Sequence, residues 1–304
     1  MTRREALMAL AAAAGKVNFA VPTGACDSHT HIFGDPKQFP FAAKRGYTPK
    51  PALPSDMKAM MAGLGMERVV IVTPSVYGTD NRATMYGIRE MGKRARGVAV
   101  IDEKTTDGEL EAMHKGGVRG IRLNLATAGV NDPAAARARF VQAAERMKRR
   151  GWHIQMFATL GVIAGIREQV LASPVPVVFD HFGGAKTALG MEQAGWAVLV
   201  ELVKSGKAYV KISGAYRASE KGPDYADAAP FARALIAANP ERIVWGTDWP
   251  HPDSPGPAGR DPMQVSDPMP IDDVALLNQL PVWAPEAAVR KKILVDNPAR
   301  LYGF

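Results

Sequence analysis

Ile243-Val244-Trp245-Gly246-Thr247-Asp248-Trp249-Pro250-His251-Pro252 is an apolar run that ends in an acid followed by two closely spaced prolines. The Ile-Val-Trp stretch suits a strand covered on both faces, and the prolines, lacking an N–H donor, cannot continue a central strand. Asp248 is therefore expected at the strand's carboxyl end. An equivalent signal opens the domain, where Ala25-Cys26-Asp27-Ser28-His29-Thr30-His31 sets two histidines two residues apart. On a strand that spacing points both imidazoles to one face. If both strands belong to one parallel barrel, His29, His31 and Asp248 meet at the same rim.

The chain between these stretches alternates strand-like and helix-like segments. Strands are expected at 68–73, 97–101, 120–124, 153–157, 176–181 and 208–213, and the stretch around Trp245 is the eighth. Helices are expected from Ser55 to Gly63, Asn81 to Lys93, Asp107 to Lys115, Pro133 to Arg150, Ile163 to Ala172, Met191 to Lys204 and Ala226 to Ala238, with a helical tail over 285–294. The fourth of these has Asp132 as cap, Pro133 in its first turn and Gly151 as its stop. This count matches an α/β fold of the (β/α)8 TIM-barrel type, a single domain. A loop after strand one, 32–54, carries Phe33, Phe39, Phe41 and Tyr47 between prolines, and loops of that length are usually functional.

With 304 residues, 47% of them apolar, the chain can bury one large core. Its single cysteine, Cys26, excludes an intramolecular disulfide and a cysteine-rich metal site, and reads as a small core residue. The net charge of +8 comes from scattered basic residues with no arginine-rich block, so neither a nucleic-acid nor a membrane partner is expected. Residues 1–20, with Arg3-Arg4 before an alanine-rich run, read either as a short twin-arginine leader or as a disordered, fraying N-terminus; 21–304 form the barrel. Location is accordingly cytoplasmic, or periplasmic if the leader works. A small anionic substrate and a homo-oligomer are the partners considered.

In such a barrel the carboxyl ends of the strands line the active site. Those ends offer His29 and His31, Ser75, Arg122 and Asn124, Phe157, Asp180 and His181, Ser213 through Arg217, and Asp248. Three of the six histidines fall there, too many for satisfied core residues alone. His153 opens its strand and His114 lies on a helix, so both read as structural, while His251 fits either role.

The ordered set His29-Thr30-His31, Asp180-His181-Phe182-Gly183-Gly184 and Gly246-Thr247-Asp248-Trp249-Pro250-His251-Pro252 resembles the amidohydrolase superfamily. More narrowly it resembles the branch of lactone hydrolases related to 2-pyrone-4,6-dicarboxylate hydrolase. Phe39-Pro40-Phe41, Tyr47-Thr48-Pro49, Gly78-Thr79-Asp80-Asn81-Arg82, Gly120-Ile121-Arg122-Leu123-Asn124 and the ending Val295-Asp296-Asn297-Pro298-Ala299-Arg300-Leu301-Tyr302 extend the likeness over nearly everything after residue 20.

The resemblance implies hydrolysis of a lactone. Asp248, free at the rim rather than held in a salt bridge, would act as the general base on water, and His29, His31 and His181 would polarise the carbonyl. Arg122 and Arg217 with Tyr47, and beside them Ser75 and Asn124, would bind substrate, the arginines gripping an acid group. Many amidohydrolases hold a divalent ion, with a bridging ligand on strand four. Here strands four and five offer Arg122, Asn124, Gln155, Met156 and Phe157, leaving at most His29, His31, His181 and Asp248 around one zinc or manganese ion. The narrower branch implies no metal or other cofactor. Phe157 replaces an expected aromatic hydroxyl, and Leu125-Ala126-Thr127-Ala128-Gly129 lacks an expected basic residue, so the substrate is read as a carboxylated or sulfonated lactone with one acid group. The alternatives are a single-metal decarboxylase of the same superfamily and a non-catalytic exported acid-binding protein.

Overall fold

The β-branched run Val69-Val70-Ile71-Val72 and its counterparts build eight parallel strands that pair in chain order. They are β1 Cys26–Thr30, β2 Arg68–Val72, β3 Ala95–Ala99, β4 Val118–Asn124, β5 His153–Phe157, β6 Val177–Phe179, β7 Ala208–Ser213 and β8 Ile243–Gly246. The computed structural model describes residues 15–254 and 259–304; the leader question lies outside the described residues for 1–14. Helices between the strands cover the outer face, and the expected α/β barrel is the observed one. No described helix is long and apolar enough to cross a membrane.

The barrel closes where the two stretches read first meet. The His31 N–H donates to the Trp249 carbonyl (2.8 Å), and the Asp248 N–H donates to the His29 carbonyl (2.9 Å). The buried Asp27 carboxylate clamps the same seam, accepting from the Thr247 hydroxyl (2.6 Å), the Thr247 N–H and the His29 N–H (both 3.1 Å). Gly246 permits this approach, because a Cβ there would stand 2.7 Å from the His29 nitrogen.

Alternation along the strands decides which side chains enter the barrel, and in β1 a register shift between Asp27 and Thr30 lets Cys26 below and His29 above both do so. Cys26, Val70, Val98 and Tyr302 form one small apolar group and Val178, Tyr209 and Val244 another, filling the floor. Outward-facing residues such as Val69, Ile71, Ile154 and Val210 join the main core beneath the helices. Above the floor the inward side chains become polar: Arg122 sits in register with Gln155, and Lys211 and Ser213 with Val244 and Gly246.

Several boundaries differ from the sequence expectation. The sixth strand stops at Phe179, because His181 and Phe182 take left-handed backbone angles (φ 47° and 57°). The helix expected from Met191 begins at Trp196, where Gly195 (φ 89°) passes so close to Leu160 that a Cβ would stand 2.5 Å from its carbonyl oxygen. The helix over 163–172 is two short ones, Leu160–Gly165 and Arg167–Leu171, broken at Ile166. The tail runs on through a π-type turn to Tyr302, after helices Asp273–Asn278 and Leu280–Trp283 that the pattern left unread. The long loop after β1 is not free-standing. Thr48–Pro49 pairs with Val265–Ser266, and Phe33, Phe39, Tyr47, Val76 and Tyr77 pack into a cluster of their own.

Candidate active site

Three imidazoles and a carboxylate converge at the mouth. His29 and His31 leave β1 on one face with ring centroids 5.1 Å apart, and His181 approaches His29 to 4.6 Å. Asp248 follows β8 in the left-handed region (φ 69°), a conformation Asp tolerates better than most residues, which turns its carboxylate over the barrel. Its Oδ1 lies 3.3 Å from His31 Nε2 and 3.5 Å from His29 Nε2, while His181 Nε2 stands 3.9 Å from Oδ2. All four residues are buried.

Asp248 is not free of ion pairs, contrary to the sequence expectation. Its Oδ2 accepts from Arg217 Nε and from the Tyr216 hydroxyl (2.7 Å), because Gly214 (φ 52°) turns the chain after β7 into the short helix Ala215–Ala218 beside it. Arg217 also donates to the carbonyls of Ser254 (3.1 Å) and Pro252 (3.3 Å). Burial alone would raise the Asp248 pKa, but Arg217, His181, His31 and His29 outweigh it and hold the group well below the ordinary carboxylate range. Oδ1 is left without a hydrogen-bond partner among the described residues, as is His29 Nε2.

A second polar layer lies just beneath. Lys211, fully buried, donates to the Ser28 carbonyl (2.9 Å) and to Gln155 Oε1 (2.6 Å), and approaches His29 Nδ1 to 3.3 Å. Asp180 accepts at Oδ2 from Arg122 Nε (2.9 Å) and Gln155 Nε2 (3.1 Å), with Lys211 Nζ 3.6 Å from Oδ1. Burial opposes ionisation of Asp180, yet Arg122, His29 and Lys211 keep its pKa well below normal. Burial likewise lowers His29 well below the usual imidazole range, with Lys211 adding to it, brings His181 down to about 4 and brings Lys211 down to about 8. Sequence reading missed Lys211. Strand parity carried the signal, since Ser213 had been placed at the rim and Lys211 lies two residues below it on the same face.

The remaining residues fall around this centre. Tyr47 is buried, and burial pushes its phenol up to about 12 against the lowering influence of Ser75. Asn124, one step above Arg122, has a buried Oδ1 with no partner among the described residues. Phe157 meets His181 edge-on at 5.5 Å and lies 5.2 Å from the Arg122 guanidinium. A pocket of about 320 Å³ opens above, lined among others by Phe157, His181, Lys186, Tyr216 and Arg217. His153 and His114 lie away from the mouth, against Tyr302 and Trp152. His251 bridges Tyr216 (3.3 Å) and Asp273 (3.0 Å), so it supports the site from behind.

Among the described residues, two groups have donor atoms close enough to hold a metal ion: His29, His31 and Asp248, and His29, Asp180 and His181. In the first, the unpartnered His29 Nε2 and Asp248 Oδ1 fit one divalent ion. In the second, the ion would face Lys211 and Arg122, which already neutralise Asp180.

A parallel barrel with histidines and an aspartate gathered at its carboxyl rim places the reacting centre at that mouth. The amidohydrolase family matches residues 26–304, and the chain belongs to that family. It is 37% identical over 292 residues to a 4-sulfomuconolactone hydrolase of Rhizobium radiobacter, covering 94% of this chain and 92% of the relative. It is 34% identical over 296 residues to a 2-pyrone-4,6-dicarboxylate hydrolase of Comamonas testosteroni, with the same coverage of each. A solved apo structure from Agrobacterium tumefaciens superposes with a TM-score of 0.78 at 29% identity, covering 94% of this chain and 98% of that one.

Proposed function

We propose that the protein is a hydrolase that opens a lactone bearing one carboxylate or sulfonate, without a metal ion. The observation that carries the hydrolase reading is Asp248 Oδ1, without a hydrogen-bond partner among the described residues and facing two imidazoles beside a pocket that Arg217 lines. The names of the sulfomuconolactone and pyrone dicarboxylate relatives support the substrate class.

Water held between Oδ1 and the lactone carbonyl would give its proton to Asp248 as its oxygen attacks carbon. Charge builds on the carbonyl oxygen, and buried N–H donors there act at low dielectric, where one donor contributes about 10²–10³-fold in rate. His29 and His181 would act as those donors. His31 gives its Nδ1 proton to the Val72 carbonyl (2.7 Å), so its Nε2 accepts in the neutral ring and donates only when the ring is protonated. Collapse of the tetrahedral intermediate breaks the ring C–O bond, and the proton on Asp248 returns to the departing oxygen.

Arg217 couples recognition to this chemistry. A carboxylate so strongly paired is a weak base, but an acid group on the substrate competes for the guanidinium and raises the proton affinity of Asp248. Arg122 gives its Nε–H to Asp180, Phe157 offers no hydroxyl and Ala126 adds no charge to the pocket wall, which favours one acid group over two. A divalent ion, if bound, would be held by His29, His31 and Asp248 with His181 nearby, and would supply Lewis-acid polarisation of the carbonyl.

The test is acid release in a pH-stat by chelator-treated protein, across sulfonated and carboxylated muconolactones, sugar-acid lactones and the pyrone dicarboxylate. Opening of a mono-acid lactone in preference to the dicarboxylate is expected. Activity only after zinc or manganese is restored would overturn metal independence. Release of carbon dioxide without ring hydrolysis, or no reaction on any lactone, would overturn the lactonase reading.

A further inference from the structure

Lys211 has no part in the steps above, yet it is a fully buried cation reaching the inner nitrogen of a residue at the reacting centre. An ammonium has three protons and no lone pair. Its three hydrogen-bonding neighbours are the Ser28 carbonyl, Gln155 Oε1 and His29 Nδ1. The orientation of Gln155 is fixed independently, since its Nε2 donates to Asp180 Oδ2 at 3.1 Å. The first two neighbours therefore only accept, and Asp180 Oδ1, 3.6 Å from Nζ, favours the charged amine. The third ammonium proton then needs a lone pair on His29 Nδ1.

The competing arrangement is also built into the site. His29 Nδ1 lies 3.2 Å from Asp180 Oδ1, so an Nδ1–H could turn to that oxygen, leaving Nε2 bare. Among the described residues Asp180 Oδ1 nevertheless has no partner that meets hydrogen-bond geometry, whereas the contact of His29 Nδ1 with Lys211 does. The two arrangements have opposite consequences at the mouth. A proton on Nε2 makes His29 a donor toward a carbonyl oxygen. A bare Nε2, beside His31 Nε2 and Asp248 Oδ1, completes a ligand set for a metal ion.

We propose that Lys211 is a positioning residue that fixes His29 as the Nε2–H tautomer, and thereby biases the site toward carbonyl polarisation and away from metal binding. Asp180, Arg122 and Gln155 hold the ammonium and the imidazole in that relation. The catalytic consequence rests on the hydrolase reading above; the tautomer and the metal affinity do not.

The test is ¹⁵N NMR of the histidine rings in chelator-treated protein at pH 7, with the His29 signals assigned by their loss in His29→Gln. The wild type should show a protonated Nε2 and an unprotonated Nδ1. A protonated Nδ1 in the wild type, with or without a proton on Nε2, overturns the proposal, and this reading needs no lysine variant to fold. In Lys211→Met the proton should move to Nδ1 and zinc affinity, followed by titration calorimetry with zinc alone, should rise by about tenfold or more. The kcat on whichever lactone is opened should fall about 10²-fold with KM within about threefold, the loss expected for one donor. An unchanged tautomer and unchanged zinc affinity in a folded Lys211→Met protein contradict the assignment. If the tautomer is as stated but no lactone is hydrolysed, the hydrolase reading fails and the positioning role of Lys211 stands.

Discussion

Two buried aspartates flank His29, each paired with an arginine, and they are not equivalent. Asp180, after β6, has Arg122 and Gln155 on one oxygen and, at the other, His29 Nδ1 at 3.2 Å and the Lys211 ammonium at 3.6 Å. Asp248, after β8, has Arg217 and Tyr216 on one oxygen and, at the other, only imidazole nitrogens. One carboxylate is spent on holding cations in place; the other keeps an oxygen for the reacting water. What separates them is depth. Asp180 closes the polar layer above the barrel floor, whereas a left-handed turn lifts Asp248 to the mouth.

The contrast can be broken most severely at the inner pair. Asp180→Asn leaves Lys211 and Arg122 buried without a counter-charge, and loss of one partner from such a network costs about 3–5 kcal/mol. Urea denaturation should show that loss, and an unchanged midpoint would mean the layer is not electrostatically coupled. At the outer pair, Arg217→Met should lower kcat/KM for an acid-bearing lactone by about 10²-fold while sparing one without an acid group, since removing a charge-assisted contact to the substrate is worth about 2–3 kcal/mol. Equal losses on both substrates would confine Arg217 to a structural role.

A smaller effect sharpens the comparison from outside the site. His153, buried with both ring nitrogens unpartnered among the described residues, has its pKa lowered by burial to about 3 against a usual 6.5. A depressed folded-state histidine contributes stability that is complete above pH 6.5 and is lost as pH falls from there toward 3. His153→Leu should therefore flatten the acid side of the stability curve by about 1 kcal/mol per pH unit, measured by chemical denaturation between pH 6 and 4. A slope identical to the wild type would show that His153 is protonated in the fold.

Much of the barrel was legible because its strands are long apolar runs and its turns carry Pro and Gly. The rim residues were legible for the same reason: once Gly246 to Asp248 ends β8 and Cys26 to Thr30 forms β1, closure brings His29, His31 and Asp248 together. The partners of those residues were not legible. Arg217 reaches Asp248 only because Gly214 starts a short helix, and nothing local in the sequence fixes that turn. Lys211 reads as an ordinary strand cation until its parity with Ser213 is followed into the barrel. Gly195 and Ile166 shifted helix limits through contacts and angles set by distant chain.

The most direct measurement is steady-state kinetics of Asp248→Asn on the preferred lactone, with chelator-treated protein and a denaturation curve alongside. The asparagine keeps an oxygen acceptor but has little proton affinity. The prediction is a fall in kcat of about 10³-fold or more with the fold retained and KM unchanged or lowered, because Arg217 is freed for the substrate's acid group. A variant within about tenfold of wild-type kcat would contradict the assignment of Asp248 as the base.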